Sequence, residues 1–290
     1  MPVMTIGAVP LHRVEELRIP NKLSYFTSDE NLVAAHRHWL APHFLDRNDN
    51  FDLVFQSWIF EIDGRLVLVD PCTGNGRPHP VHFFNNLNVP FIERMQEAGF
   101  RPEDIDLVVC THLHHDHCGW NTRLRDGKWV PTFPNARYVM QEVEYNRWGS
   151  ERDRYPSVDY NEGVFERSVL PVVEAGLAEF VSGVHRLTPG LVLEPTFGHT
   201  LGHQMLHLVS GTQRALFTGD CFHHPIQLTR PSIVFGDSDD LDQAIATRVR
   251  LVRIAADLNA LIIPAHLPAP YAVRVWRTSD DVHFAAAGAT

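Results

Sequence analysis

The chain has 290 residues, 44% of them hydrophobic and 21% charged, with a formal charge of -10 at neutral pH. That is enough apolar material for the core of one large domain or two small ones, and the profile is that of an ordinary soluble globular protein. The acidic balance excludes a broad nucleic-acid footprint, which needs clustered Lys and Arg, and favours a small-molecule substrate.

From the N-terminus, Met1 to Gly7 shows no basic segment followed by an apolar one. No later stretch is apolar for long enough to span a bilayer, so a cytoplasmic protein without membrane contact is expected. Whether the chain forms a homodimer is left open. His36 and His38 have ligand-like spacing but lie in a polar, helical stretch and read as solvated surface. Phe51 to Ile62 and Arg65 to Val69 read as a hairpin closed by Asp63-Gly64, ending at Asp70-Pro71. Asp70 either starts a turn there or serves a site.

Phe91 to Ala98 reads as a helix stopped by Gly99, and Asp106 to Cys110 as a buried strand. The run Thr111 to His117 then carries five side chains able to bind a transition metal: His112, His114, His115, Asp116 and His117. Alternation sends His112 and His114 to one side, while the following turn brings Asp116 and His117 back from the other, so the loop suits two ions. Histidines and aspartates crowded at a strand end are costly to bury unless paired or coordinated.

Trp120 to Pro134 is expected to be loop, Arg137 to Met140 a short strand, and residues 141 to 180 a mostly helical insertion, broken near Gly149 and Tyr155-Pro156, that could act as a lid. Strands follow at Leu191 to Pro195, Gln204 to Val209 and Ala215 to Thr218. An amphipathic helix over Leu241 to Leu258 has Leu241, Ile245, Val249, Val252 and Ala256 at helical spacing. Leu261 to Ile263 reads as the last buried strand. His199, Asp220 and His266 each stand just past one of these strands, behind a small residue, and complete the ligand search. His203 reads as a residue that fixes a ligand or loop, and His207 as structural. The cysteines Cys72, Cys110, Cys118 and Cys221 form no CxxC pair, which suits free thiols.

The run His112-Leu113-His114-His115-Asp116-His117, with Asp70, the stretch Gly198-His199-Thr200-Leu201-Gly202-His203, Asp220 and His266, resembles the metallo-β-lactamase fold superfamily. The resemblance implies one domain over 1-290, an α+β protein with an αββα sandwich of two mixed sheets flanked by helices. It implies one metal on His112, His114 and His199, a second on Asp116, His117 and His266, and Asp220 between them. Two divalent ions are expected, with zinc favoured by the nitrogen and oxygen donors and iron, manganese or cobalt left open. Two such ions can share a water whose pKa falls to about 7, which makes a hydroxide nucleophile available at neutral pH.

Asp116 is the candidate proton carrier, and Asp70 and His203 the residues that hold ligands in place. Gly119-Trp120-Asn121 and Ala265-His266-Leu267-Pro268 look most like the lactonase, ester and organophosphate hydrolase branch. Its lactonases place a tyrosine shortly after the bridging aspartate. Here His223-His224 stands in that neighbourhood, and His223 is the candidate oxyanion donor or leaving-group acid. Trp120, Phe133, Tyr145, Trp148 and Phe222 are candidates to line an apolar cleft for a lactone or ester. A phosphoester hydrolase or a thioesterase similar to glyoxalase II are alternatives within the fold. An iron-dependent oxygenase or redox protein and a non-catalytic metal binder are the rival classes.

Overall fold

The structure, a computed structural model, describes residues 1-236, 238-279 and 281-288. Its strands alternate apolar side chains to both faces, because each sheet is covered on both sides. In the hairpin of β3 (Asn50–Ile62) and β4 (Arg65–Val69), Trp58, Phe60, Val67 and Val69 point into the layer between the sheets, whereas Ile59 and Leu68 point outward beneath helices. This hairpin sits in a seven-stranded sheet ordered β1-β2-β3-β4-β5-β8-β9, with β1 Met4–Ile6, β2 Val9–Lys22, β5 Leu107–Val109, β8 Arg137–Gln141 and β9 Ala178–Val181. From β4 onward the pairings are parallel.

The second seven-stranded sheet runs in chain order through β10 (His185–Thr188), β11 (Leu191–Pro195), β12 (Gln204–Ser210), β13 (Gln213–Gly219), β14 (Leu261–Pro264), β15 (Val273–Thr278) and β16 (Asp281–Ala286). Only β13 and β14 pair in parallel in this sheet, among the described residues. The helices α2 (Phe91–Glu97) and α5 (Leu170–Glu174) cover the outer face of the first sheet through Phe91, Met95 and Val172. The helices α1 (Glu30–Leu40) and α7 (Leu241–Leu258) cover the second through Val33, Leu40, Leu251 and Ala255. The expected αββα sandwich is therefore the architecture found.

Several expectations need correction. Trp120 to Pro134 is not plain loop, since it holds the two-stranded hairpin β6 (Thr122–Arg125) and β7 (Lys128–Pro131). The buried Arg77 guanidinium bolts that hairpin down, donating to Thr122 O and Oγ1 and lying 4.2 Å over the Trp129 ring. Beyond Leu261 to Ile263, expected as the last buried strand, two further strands, the half-buried β15 and β16, continue the sheet. The insertion is built of helical pieces as expected, α4 (Glu142–Trp148), single turns at Arg152–Arg154 and Asp159–Asn161, a π-turn at Phe165–Val169 and α5, with breaks at Gly149 and Tyr155-Pro156, and it ends in β9.

Helix α7 has the expected bounds, with Asp240 accepting from Gln243 N and Asn259 left-handed at its end. Its buried face is rotated, however. Leu241 and Val249 are exposed, and Ala244, Thr247, Arg248, Leu251 and Ala255 face inward. The reason is polar: Arg248 donates to the carbonyls of Cys221, Pro231 and Ile233, and Thr247 to that of Phe197.

His224 is buried against Phe51 and Phe26 and is fixed as one neutral tautomer, its Nδ1 accepting from Ile226 N and its Nε2 facing Phe44 O at 2.8 Å. Burial lowers its pKa to about 4. The unfolded chain takes up this proton near pH 6.5 and the native state only near 4, so His224 erodes stability as pH falls through that window, by at most about 1.4 kcal/mol per pH unit. Urea unfolding of His224→Gln and the native chain from pH 7 to 4 should show a shallower acid decline in the variant.

Candidate metal centre

Every candidate ligand stands where a strand runs out, and the packed sheets bring those ends together. His112, His114, Asp116 and His117 follow β5, His199 follows β11, Asp220 follows β13 and His266 follows β14. The motif residues His115–Cys118 form the single-turn helix α3, which turns Asp116 and His117 back toward the strand ends, as alternation and a turn required.

Three inner nitrogens converge on one side: His114 Nδ1 lies 3.0 Å from His112 Nε2 and 3.1 Å from His199 Nε2. On the other side Asp220 Oδ1 lies 3.0 Å from His266 Nε2, and Asp220 Oδ2 lies 3.3 Å from His117 Nε2. Asp116 Oδ2 is 3.6 Å from His117 Nε2 and 3.5 Å from His266 Nε2. The ligand atoms of His112, His114 and His199 lie within 4.8 Å of one another, as do those of Asp116, His117, Asp220 and His266. Asp220 Oδ2 links the groups, 3.9 Å from His112 and 3.6 Å from His199.

Outer atoms anchor these rings. His117 Nδ1 donates to Asp70 Oδ2 at 3.0 Å, and His266 Nδ1 to Val54 O at 3.2 Å, which leaves each Nε2 lone pair facing inward. Asp70, with φ +51, also accepts from Thr111 N and Oγ1, so it holds both ends of the motif loop. His203 does not join the cluster. Its Nδ1 meets Thr196 Oγ1 at 2.7 Å, and its Nε2 accepts from Asp220 N at 3.2 Å, which fixes the aspartate's backbone.

The electrostatics separate the groups by role. Burial drives the imidazoles of His112, His114 and His199 below the ordinary histidine range, His114 to about 3, and neighbouring imidazoles add to this. Burial disfavours charge on His117 and His266 too, but Asp220 and Asp116 outweigh it and raise both. Burial likewise opposes ionisation of the two carboxylates, yet the surrounding histidines hold Asp116 at about 2 and Asp220 well below the carboxylate range.

The donor set fits divalent cations: imidazole nitrogens facing inward beside ionised carboxylates, with His117 Nε2 and Asp220 Oδ1 buried and without a hydrogen bond of their own. The four cysteines are free and buried, and burial lifts the thiols of Cys118 and Cys221, the latter to about 12, which suits small apolar side chains and not ligands. His36 and His38 lie on α1, and His207 on β12 beside Glu194, all away from the cluster.

His223 Nε2 lies 3.1 Å from Asp220 Oδ2, and its ring is 5.5 Å from that of His199. A cleft of about 520 Å³ opens over His114 and His199, lined by Pro156, Asp159, Tyr160, Ser238 and Asp239 among others. Of the five aromatic residues expected to line it, Trp148 alone stands beside a ligand ring, 5.3 Å from His114. Trp120 stacks on Phe91, Phe133 and Phe222 are core, and Tyr145 packs on Phe165 and Phe180. The cleft wall mixes polar and apolar groups, Pro156 and Val158 beside Ser238 and Asp239, where an apolar lining was expected.

Residues beyond the expected set support the loops. Buried Glu144 accepts from Leu113 N, Gly202 N and Trp148 Nε1, joining the motif loop to the His199 loop. Asn161 Nδ2 donates to Leu113 O. Arg147, held between the Trp148 and Tyr155 rings, pairs with Asp239, whose Oδ2 accepts from Leu201 N and whose N–H donates to His199 O. These contacts bridge distant segments, and no local pattern signals them.

A two-sheet αββα protein with a His/Asp cluster at the strand ends defines a recognised class. The metallo-beta-lactamase superfamily model matches residues 55-266, most of the chain, and the chain belongs to that superfamily. It is 29% identical over 112 residues to an N-acyl homoserine lactonase of Bacillus cereus, covering 39% of this chain and 36% of the relative. It is also 29% identical over 131 residues to the N-acyl homoserine lactonase AiiB of Agrobacterium fabrum, covering 40% and 44%. The match thus spans well under half the length of these curated relatives. Among solved structures, hydrolase AbOPH of the beta lactamase superfamily superposes with a TM-score of 0.77 at 19% identity, covering 99% of this chain and 97% of that one. AidC, a dizinc quorum-quenching lactonase, gives 0.71 at 20% identity with the same coverage, so both share the fold.

Proposed function

We propose that the protein is a metal-dependent hydrolase of a small lactone or ester, with two divalent ions held by His112, His114, His199, Asp116, His117, His266 and the linking Asp220. The observation that carries the reading is the geometry of the rings. Inner nitrogens of five histidines converge with two carboxylates, while His117 and His266 are anchored from outside by Asp70 and Val54 O. Bound divalent ions supply Lewis acidity and acidify coordinated water toward neutral pH.

The remaining work falls to the chain. Asp116 has a side chain 13% exposed, compared with 5% for Asp220, so it is the carboxylate that can carry a proton between cluster and cleft. His223 hydrogen-bonds Asp220 on the opposite flank and is assigned the donor to the developing oxyanion or leaving group. The cleft volume suits a small molecule, and its mixed wall suits a substrate that pairs an apolar part with a hydrogen-bonding reacting end. The insertion, which supplies Trp148 and Tyr160, is assigned the part of a lid.

A panel of lactones, esters, thioesters and phosphotriesters tests the reading. Turnover of a lactone or ester should fall at least about 100-fold when a chelator strips the ions and return with added zinc, manganese, cobalt or ferrous iron. Full turnover by metal-free protein would sink the proposal. His223→Phe should lower kcat about 100-fold with metal content intact, the scale of one lost oxyanion donor. Unchanged kcat would remove His223 from the mechanism.

A further inference from the structure

We infer that Glu144 is a positioning residue that sets the metal affinity of one half of the centre, that of His112, His114 and His199, and leaves the other half alone; this rests on the two-ion reading above. The ligands of that half come from both sheets, His112 and His114 from the end of β5 and His199 from the loop after β11. Their spacing therefore needs a tie across the layers. Glu144, 1% exposed, supplies it: Oε1 accepts from Leu113 N, between the two motif histidines, at 2.9 Å, and Oε2 accepts from Gly202 N, just past His199, at 2.9 Å. Trp148 Nε1 donates to Oε1 at 2.8 Å and locks the carboxylate in place. Gly202 seats the His199 loop directly on α4, since a methyl group there would lie 2.2 Å from Glu144 N. Asn161 and Asp239 grip the same loops singly, Asn161 at Leu113 O and Asp239 at Leu201 N and His199 O. Glu144 holds the two together.

The other half has its own ties. His266, from the second sheet, is bound to β3 of the first, because Val54 N donates to His266 O at 3.0 Å and His266 Nδ1 donates to Val54 O at 3.2 Å. His117 leans on Asp70. These contacts do not pass through Glu144, so the two halves can be loosened separately. In Glu144→Gln the amide fills the same space but keeps one acceptor oxygen in place of two, so its N–H₂ must face a backbone N–H of one loop or the other. A buried donor left facing a donor is costly, and the loop shifts to relieve it. Groups that orient metal ligands from behind are typically worth about 10- to 100-fold in affinity, which sets the size of the expected loss.

The test titrates metal-free native protein, Glu144→Gln and Glu16→Gln with zinc against a chromophoric chelator. Glu16 is the control: it is as buried as Glu144 and accepts from Thr73 N, Gly74 N and Trp120 Nε1, donors that lie outside the loops carrying His112, His114 and His199. Native protein and Glu16→Gln should bind two zinc ions per chain with affinities that agree within about threefold, while Glu144→Gln should bind one as tightly and the second at least about tenfold more weakly. Imidazole 1H–15N spectra assign the halves: the weakened ion should be the one that shifts His112, His114 and His199. If Glu144→Gln is insoluble, Glu144→Asp, which keeps the charge but falls one methylene short of spanning both loops, should show the same selective loss. Equal affinities in native protein and Glu144→Gln, a loss that falls on His117 and His266, or a matching loss in Glu16→Gln that tracks Tm would overturn the inference. Native protein that binds no second zinc would sink the two-ion reading, and the inference with it, before any variant is compared.

Discussion

Asp220→Asn should abolish turnover, with a loss of at least about a thousandfold, equivalent to about 4 kcal/mol of transition-state stabilisation. Asp220 Oδ2 lies 3.1 to 3.9 Å from nitrogens of His223, His117, His199 and His112, and Oδ1 lies 3.0 Å from His266. Among the described residues it is the carboxylate with contacts under 4 Å to histidines of both halves. The amide keeps the shape but removes the negative charge and turns an N–H₂ toward imidazole lone pairs, so the loss should include metal as well as rate. Metal analysis of the purified variant should find fewer than two ions per chain, with circular dichroism unchanged. A variant that keeps native turnover and metal content would show that Asp220 does not link the two halves.

Gly119→Ala carries the largest expected stability loss. A methyl group at this position would lie 1.7 Å from Thr73 O and 2.0 Å from Thr73 C, so backbone must move. Gly119 N donates to Cys72 O at 2.6 Å and Trp120 N to Pro71 O, locking the end of the metal motif onto the loop that presents Asp70. Forcing them apart should cost about 3 kcal/mol or more and lower Tm by about 10 °C. Gly64→Ala is the contrast: φ is +72 but nothing lies within 4 Å, so only the backbone penalty of about 1 kcal/mol applies. Similar Tm values for both variants would contradict the packing account.

The ligand cluster was legible because its signal is local. His112 to His117 lie within six consecutive residues, and His199, Asp220 and His266 each follow a strand whose apolar run is visible. The sandwich was implied by the family resemblance that the motif residues carry. What stayed hidden depends on partners distant in sequence. The inward face of α7 was misjudged because Arg248 is buried by three carbonyls from the loop at 221 to 233, an arrangement hydrophobic spacing cannot register. Trp120, Phe133 and Phe222 went to the core and not to the cleft because aromatic content alone does not say which side of a loop faces solvent. Glu144 and Asn161 make their key contacts 31 and 48 residues away.

The Arg147–Asp239 pair bears on how this scaffold could be re-engineered. Arg147 belongs to the insertion and Asp239 to the approach to α7, yet Asp239 also holds the backbone at His199 and Leu201. Exchanging the insertion for that of a relative without its matching residue at 239 would leave one largely buried charge unmatched, a change that typically costs about 3 to 5 kcal/mol. The two segments form one transplantable cassette, and a chimera that moves them together should keep the His199 loop in register.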